Sequence, residues 1–232
     1  MRVLITGASR GIGLELARQC VARGEQVFAG ARNPETAHEL QRLAKLYDLT
    51  VISLDVTDED SIAAAVNTVS TKTDALDVLI NNAAINPETP AYETFGELQA
   101  EAVLQVLHTN TVAPLIVAQA FMDLLSKGAN PRLINISSDM GSIAGRSYGG
   151  SHSYCMSKAA LNMASRGLAH DLRRRNVIVI ALDPGWVQTD MGGASASLTP
   201  HESVSGILRV IDSLTLKDSG KYYDYRGGQH QW

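Results

Sequence analysis

The first two dozen residues constrain this chain more than any other stretch. Val3-Leu4-Ile5 is a short apolar run, as expected of a strand buried on both faces. It leads into Thr6-Gly7-Ala8-Ser9-Arg10-Gly11-Ile12-Gly13. Leu14, Leu16, Ala17 and Val21 then recur at helical spacing to about Arg23, and Gly24 takes the usual C-terminal place of glycine. A buried strand, a glycine loop and a helix in direct succession make a phosphate-binding device. The glycines let the backbone approach a pyrophosphate, and the helix start offers unpaired N–H groups and a positive dipole end. The spacing is Gly-x-x-x-Gly-x-Gly, not the Gly-x-Gly-x-x-Gly of the commoner dinucleotide fold.

The rest of the chain continues the alternation. Strands are expected at Gln26–Ala31, Thr50–Leu54, Asp77–Ile80, Arg132–Ser137, Val177–Leu182 and Lys221–Tyr225. Between them lie helical patterns at about Pro34–Tyr47, after a cap at Thr57 or Asp58, at Phe95–Leu125, at Tyr154–Arg175 and from a Thr199-Pro200-His201-Glu202 cap to Leu214. Alternation of this kind gives right-handed crossovers and a parallel sheet. The expected fold is α/β: a three-layer Rossmann fold with a doubly wound, mostly parallel, seven-stranded sheet and helices on both faces. At 232 residues, 45% of them hydrophobic, the whole of 1–232 is expected to form a single NAD(P)-binding domain. Polar and small-residue clusters (Thr6–Gly13, Arg32, Asp55, Asn82, Ser138, Pro184–Thr189) fall at strand C-termini, where such sheets bind ligands.

Charge and cysteines narrow the function. The net charge is −4 with no long run of one sign, so nucleic acid is not an expected partner. Cys20 and Cys155 sit in apolar helical patterns and read as buried free thiols, with no disulfide and no metal site. Met1 and Arg2 lead straight into a strand, leaving no room for a signal peptide, and no apolar run approaches the roughly 18 residues of a membrane span. A soluble cytoplasmic protein is expected.

Three features suggest the chemistry. After the second strand there is no acid to bond a ribose hydroxyl. Arg32 stands there instead, and Arg10 lies in the glycine loop. Two guanidiniums and no carboxylate favour NADP(H), with NAD(H) possible. Tyr154 and Lys158 are four apart and share a helix face, so the ammonium is expected to favour the phenolate and lower the phenol pKa. Tyr154 then reads as a proton donor and acceptor near neutral pH. Pro114 interrupts the 95–125 helix and should leave the backbone carbonyl of Asn110, four residues back, free to hold a water.

These motifs, in this order, resemble the short-chain dehydrogenase/reductase family over almost the full chain: Thr6–Gly13, Asn82-Ala83-Ala84, Ser138 followed by Tyr154-x-x-x-Lys158, and Pro184-Gly185. The Trp186-Val187-x-Thr189-Asp190-Met191-Gly192-Gly193 run and the Tyr-Asp-Tyr…Trp ending look most like the C-factor and sniffer-like carbonyl reductase branch. The resemblance implies an oxidoreductase moving a hydride between a nicotinamide and an aldehyde, ketone or secondary alcohol. Tyr154 would be the general acid or base. Lys158 would lower its pKa and bond the nicotinamide ribose, and Ser138 would donate to the substrate oxygen. Asn110 would hold a water linking Lys158 to solvent. The cofactor would lie on Gly7, Ser9, Arg10, Gly11, Ile12, Gly13, Arg32, Asn82, Ala83, Ala84, Tyr154 and Lys158. Asp55 and Val56 would meet the adenine, and Pro184, Gly185, Val187 and Thr189 the nicotinamide.

Ala84 replaces the glycine of many members. The 16-residue gap from Ser138 to Tyr154 leaves Ser137 as a competing serine. Gly141–His152 and Trp186–Ser203 should form the substrate cleft, walled by Tyr148, Trp186 and Met191. Arg146 is a candidate for holding an anion, and His152 reads as a histidine without chemistry. An uncharged, fairly apolar carbonyl compound is the expected substrate, and a homo-dimer or tetramer is possible. The alternative is an NADP-binding redox-sensing or signalling module with little turnover.

Overall fold

The computed structural model describes residues 1–87 and 89–232. Strands β1 (Arg2–Ile5), β2 (Gln26–Ala31), β3 (Leu49–Ser53), β4 (Val78–Asn81), β5 (Arg132–Ile136), β6 (Ile178–Asp183) and β7 (Tyr222–Asp224) form one sheet in the order β3-β2-β1-β4-β5-β6-β7. Every neighbouring pair is parallel. The chain winds outward from β1 to β3, then returns to β4 on the other side of β1. The crevice at the carboxyl ends of β1 and β4 is therefore the topological switch point.

The helices are α1 (Gly11–Ala22), α2 (His38–Ala44), α3 (Glu59–Ser70), α4 (Pro90–Glu93), α5 (Ala100–Leu107), α6 (Ala113–Ala120), α7 (Met122–Leu125), α8 (His152–Asp171) and α9 (Pro200–Ser213). Side chains alternate across a strand, so the sheet feeds two cores. Val3, Ile5, Val27 and Ala29 pack with Leu16, Leu40 and Ile207 from α1, α2 and α9. Leu4, Phe28, Leu79 and Leu133 pack with Ile62, Val117 and Ala169 from α3, α6 and α8. This is the Rossmann-like architecture the alternation predicts, with strand ends within a residue or two of those read from the apolar runs.

Two helical expectations need correction. The 34–47 segment breaks into a 3₁₀ turn (Pro34–Thr36) and α2, because Ala37 between them has non-helical angles (φ −84°, ψ 59°). The 95–125 segment is not one helix with a bend. Phe95 is 86% exposed and precedes α5, and α5 and α6 are joined by a π-turn at His108–Val112. Pro114 has no N–H to give the carbonyl of Asn110. The chain takes the wider turn, in which the Ala113 N–H bonds the His108 carbonyl. At α9 the expected cap is present as a reciprocal box. Thr199 Oγ1 accepts from the Glu202 N–H at 3.2 Å, and Glu202 Oε2 accepts from the Thr199 N–H at 2.9 Å. Asp58, not Thr57, caps α3.

Candidate active site

A cleft of about 1010 Å³ runs along the C-terminal ends of the strands. Its floor is the loop from β1 to α1. Gly7 has φ +64°, a left-handed conformation that suits glycine, and an added Cβ would meet the Ala83 Cα at 2.8 Å. A Cβ on Gly13 would lie 2.3 Å from the Gly7 carbonyl oxygen and 2.6 Å from Asn82 Nδ2. The loop can close only with glycine at both positions. Asn82 Nδ2 donates to the carbonyls of Thr6 (2.9 Å) and Gly7 (3.0 Å), and Thr6 Oγ1 accepts from the N–H groups of Asn82 and Ala83. Asn82-Ala83-Ala84 thus shapes the glycine loop as well as lining the cleft. The N-cap Arg10 puts no side-chain bond on the first turn of α1, so the helix start faces the cleft uncapped by its own residue. Backbone donors, a large cleft and close backbone approach fit a pyrophosphate.

Ser9, Gly11, Ile12, Arg32, Asp55 and Val56 line this half of the cleft. Burial acts to raise the Asp55 pKa, but bonds from the Thr57 hydroxyl and N–H, with Arg32 and His108 nearby, hold it below its ordinary value. His108 lines the cleft here and gave no sequence signal, because it lies in the π-turn. Arg10 does not stand free. Its Nη1 donates to Asp190 Oδ2 at 2.7 Å, an exposed pair that joins the glycine loop to the loop after β6.

The other half of the cleft is built on α8 and the ends of β5 and β6. Gly150 (φ +77°) and Ser151 (φ +46°) both take left-handed angles just before the helix. For a serine that conformation is strained, and it sets the turn that starts α8 at His152. Tyr154 and Lys158 follow one turn apart, both buried and both lining the cleft. Lys158 Nζ donates to the Ile136 carbonyl at 2.8 Å and lies 5.6 Å from the centre of the Tyr154 ring. Burial lowers the Lys158 pKa to about 8, opposed by the charge of Asp183. The expected depression of the phenol is not seen. Burial raises the Tyr154 pKa, with Asp183 and Asp139 adding to it, and the Ser138 hydroxyl works in the other direction. Taking the phenolate out of water dominates the balance at Tyr154.

Ser137 and Ser138 are distinguished by their partners. Ser137 is buried and donates to Asn162 Oδ1 at 2.6 Å. Ser138 stands past the strand end, with its hydroxyl 3.1 Å from Asp139 Oδ1 and 3.2 Å from the Met140 N–H. Pro184, Gly185, Val187 and Thr189 line the cleft after β6, beside Trp186 and Met191, and Tyr148 lines its wall. Trp186 Nε1 donates to the Gly192 carbonyl at 2.8 Å, and the Leu198 N–H to the Trp186 carbonyl at 3.0 Å, which fold this loop on itself.

Three side chains differ from the cleft pattern. Asn110 is fully buried and does not line the cleft. Its Oδ1 accepts from the Ile85 N–H at 2.8 Å, while its Nδ2 donates to the Ile85 carbonyl at 2.8 Å and to Ser157 Oγ at 3.0 Å. Its amide is thus committed to holding the backbone after β4. Arg146 bonds Cys155 Sγ and the Gly150 carbonyl and lies over the Tyr148 ring at 4.2 Å, outside the main cleft. His152 meets the Phe95 ring edge-on at 6.4 Å and does not line the cleft. Cys20 and Cys155 are free and buried, and the described residues contain no cluster suited to a metal. No helix among them is long and apolar enough to cross a membrane.

Residues 1–198 match the family model described as short chain dehydrogenase. The C-signal protein of Myxococcus xanthus is 42% identical over 160 residues, 69% of this chain and 95% of that protein. Among solved structures, an NADPH-bound carbonyl reductase from chicken fatty liver superposes with a TM-score of 0.94 at 40% identity, covering 100% of this chain and 98% of that one. The carbonyl reductase Sniffer of D. melanogaster superposes with a TM-score of 0.95 at 35% identity, covering 100% and 99%.

Proposed function

The chain belongs to the short-chain dehydrogenase family, and from that premise we propose that it is an NADP-dependent carbonyl reductase with Tyr154 as general acid. The observation that carries this reading is that Tyr154, Lys158 and Ser138 line the same cleft as the glycine loop. The NADPH bound by the chicken enzyme supports the cofactor, as do Arg10 and Arg32 in the absence of an acid after β2. A bound nicotinamide would supply the hydride; the protein supplies position and polarity.

Each residue has a distinct task. Ser138 donates a hydrogen bond to the carbonyl oxygen, which grows more negative as the carbon is reduced. Tyr154 delivers its phenolic proton to that oxygen. Its raised pKa keeps it protonated, as an acid must be before it acts, and charge brought beside it on binding would ease the proton's departure. Lys158 sits within one turn and is half charged near pH 8, so small changes in its surroundings alter the field it applies. Asn110 acts through its backbone carbonyl, which Pro114 cannot bond, to hold a water on the path to Lys158. Tyr148, Trp186 and Met191 give the substrate end apolar walls, so an uncharged, fairly apolar aldehyde or ketone is the substrate class.

Consumption of NADPH and NADH against a panel of carbonyl compounds tests this reading. NADPH-dependent reduction of apolar aldehydes or ketones is expected. Tyr154→Phe should lose at least about 10²-fold in kcat while still binding NADPH. Turnover in Tyr154→Phe equal to the parent's, or fastest reduction of small charged keto acids, would overturn the respective halves of the assignment.

A further inference from the structure

The last residues of the sequence fold back beneath Ser138. Tyr222 of β7 is fully buried, and its hydroxyl donates to the backbone carbonyl of Ser138. Its ring lies between His230, 4.6 Å away centre to centre, and Trp232, 5.4 Å away. His230 returns its N–H to the Tyr222 carbonyl at 2.8 Å, and its Nε2 lies 3.1 Å from Asp183 Oδ2. The other oxygen of Asp183 accepts from the Gly185 N–H at 3.0 Å. Two further bonds tie the segment to the loop after β5. Ser142 Oγ donates to the Gln231 carbonyl at 2.8 Å, and the Ala144 N–H donates to the Trp232 carbonyl at 3.0 Å. The Arg166 guanidinium of α8 lies over the Trp232 ring at 5.4 Å. The loop is thus gripped at Ser138, Ser142 and Ala144 from one side. On its other side Gly141 packs on α8, where a Cβ would meet the Lys158 backbone carbonyl carbon at 2.9 Å.

The geometry points to residues 229–232, with Tyr222, as a strap that positions Ser138 against Tyr154 for the reaction. Neither Tyr222 nor Trp232 lines the cleft; they are positioning residues. Tolerance is what makes such a strap necessary. A donor to a developing oxyanion works only if it is held near its productive place before the charge appears. Ser138 lies past the end of β5, where the sheet's ladder no longer holds it. Tyr222 anchors its carbonyl from the last strand, and the stack of three rings holds Tyr222. The inference rests on the proposed role of Ser138 as donor to the substrate oxygen.

The test is a double-mutant cycle in the full-length protein, read by single-turnover rate, NADPH Kd and unfolding midpoint. Tyr222→Phe keeps the ring stack and removes the hydroxyl, which bonds the Ser138 carbonyl and also meets the side chains of Asn162 and Ser137. Trp232→Ala loosens the stack from its partly exposed end and serves where Tyr222→Phe fails to fold. Each is expected to slow hydride transfer about three- to tenfold, the scale of one hydrogen bond, with NADPH Kd unchanged. Placed on Ser138→Ala, neither should slow it further, because the group they position is gone. The same fold-loss in both backgrounds, or no loss in either, overturns the strap. Tyr154→Phe separates the two levels: if it keeps parental turnover, the carbonyl reductase reading fails; if it loses turnover while the cycle is additive, only the strap fails.

Discussion

Lys158 is placed where its chemistry is useful and its charge is unwelcome. Its ordinary pKa of 10.5 falls to about 8 through burial. Between those values the unfolded chain binds the proton and the folded protein does not, so this residue makes stability rise with pH across that window. Below pH 8 the folded state carries the full penalty of a buried cation. Lys158→Met should therefore abolish turnover and yet stabilise the protein at pH 7, by of the order of 1–3 kcal/mol. The gain should shrink as the pH rises from 8 towards 10.5. Thermal unfolding of the two proteins at pH 7 and pH 10 measures this, and a variant less stable than its parent at pH 7 would refute it. His230 has the opposite sign. Its hydrogen bond to Asp183 raises its pKa above 6.5, against the effect of burial, with Asp224 and Asp139 also facing it. The stability this pair contributes is fully present below about pH 6.5 and is lost as pH climbs through the raised value. His230→Gln should lower the unfolding midpoint at pH 5.5 and have a smaller effect at pH 8.5. An equal effect at both pH values would assign His230 to packing alone.

At the scale of elements, the joint between α5 and α6 carries the most information. An uninterrupted helix would bond the carbonyl of Asn110 to the N–H of residue 114, and Pro114 has none. Pro114→Ala supplies that N–H and lets the π-turn close. Since proline is well accommodated at the start of α6, stability should change by less than about 1 kcal/mol. If the Asn110 carbonyl holds a water on the proton path, kcat should fall severalfold with NADPH Kd unchanged; an unaltered kcat would remove Asn110 from the path. The same joint shows where a sequence is legible. Buried parallel strands are short apolar runs with polar ends, so β2 could be bounded to the residue and the glycine loop placed on the cleft. The site residues read from strand ends all line that cleft. Asn110, inferred from a broken backbone pattern, does not, because its side chain is used on Ile85 and Ser157. Nothing local in the sequence signals that the hydroxyl of Tyr222 meets a carbonyl 84 residues earlier. Nor does it show that burial sets the direction of the Tyr154 pKa. Those are properties of the packed interior.

At the scale of the molecule, the cleft draws on the ends of β1 through β6, so a ligand that fills it ties together segments that the sheet alone aligns. Binding to the folded state only should add about 2.7 kcal/mol at 100 times Kd. For a chain of this size, where 1 kcal/mol moves the midpoint by about 2–4 °C, that is a rise of roughly 5–11 °C. On the proposed function, the two arginines would decide which dinucleotide does this best. Arg32 lines the cleft near Asp55 and Val56, while Arg10 is paired with Asp190 across the cleft. An exposed pair of this kind is worth less than about 1 kcal/mol, so a 2′-phosphate can draw Arg10 away from it at small cost. Asp190→Ala should then release Arg10 and remove a nearby negative charge, tightening NADPH binding about two- to fivefold and leaving NADH almost unchanged. Arg32→Ala should do the reverse, costing NADPH its advantage while sparing NADH. Midpoint shifts with each dinucleotide across the three proteins read both effects. If NADH protects the parent as well as NADPH does, or if Asp190→Ala weakens NADPH, the guanidiniums are solvated loop charges and the coenzyme preference must come from elsewhere in the cleft.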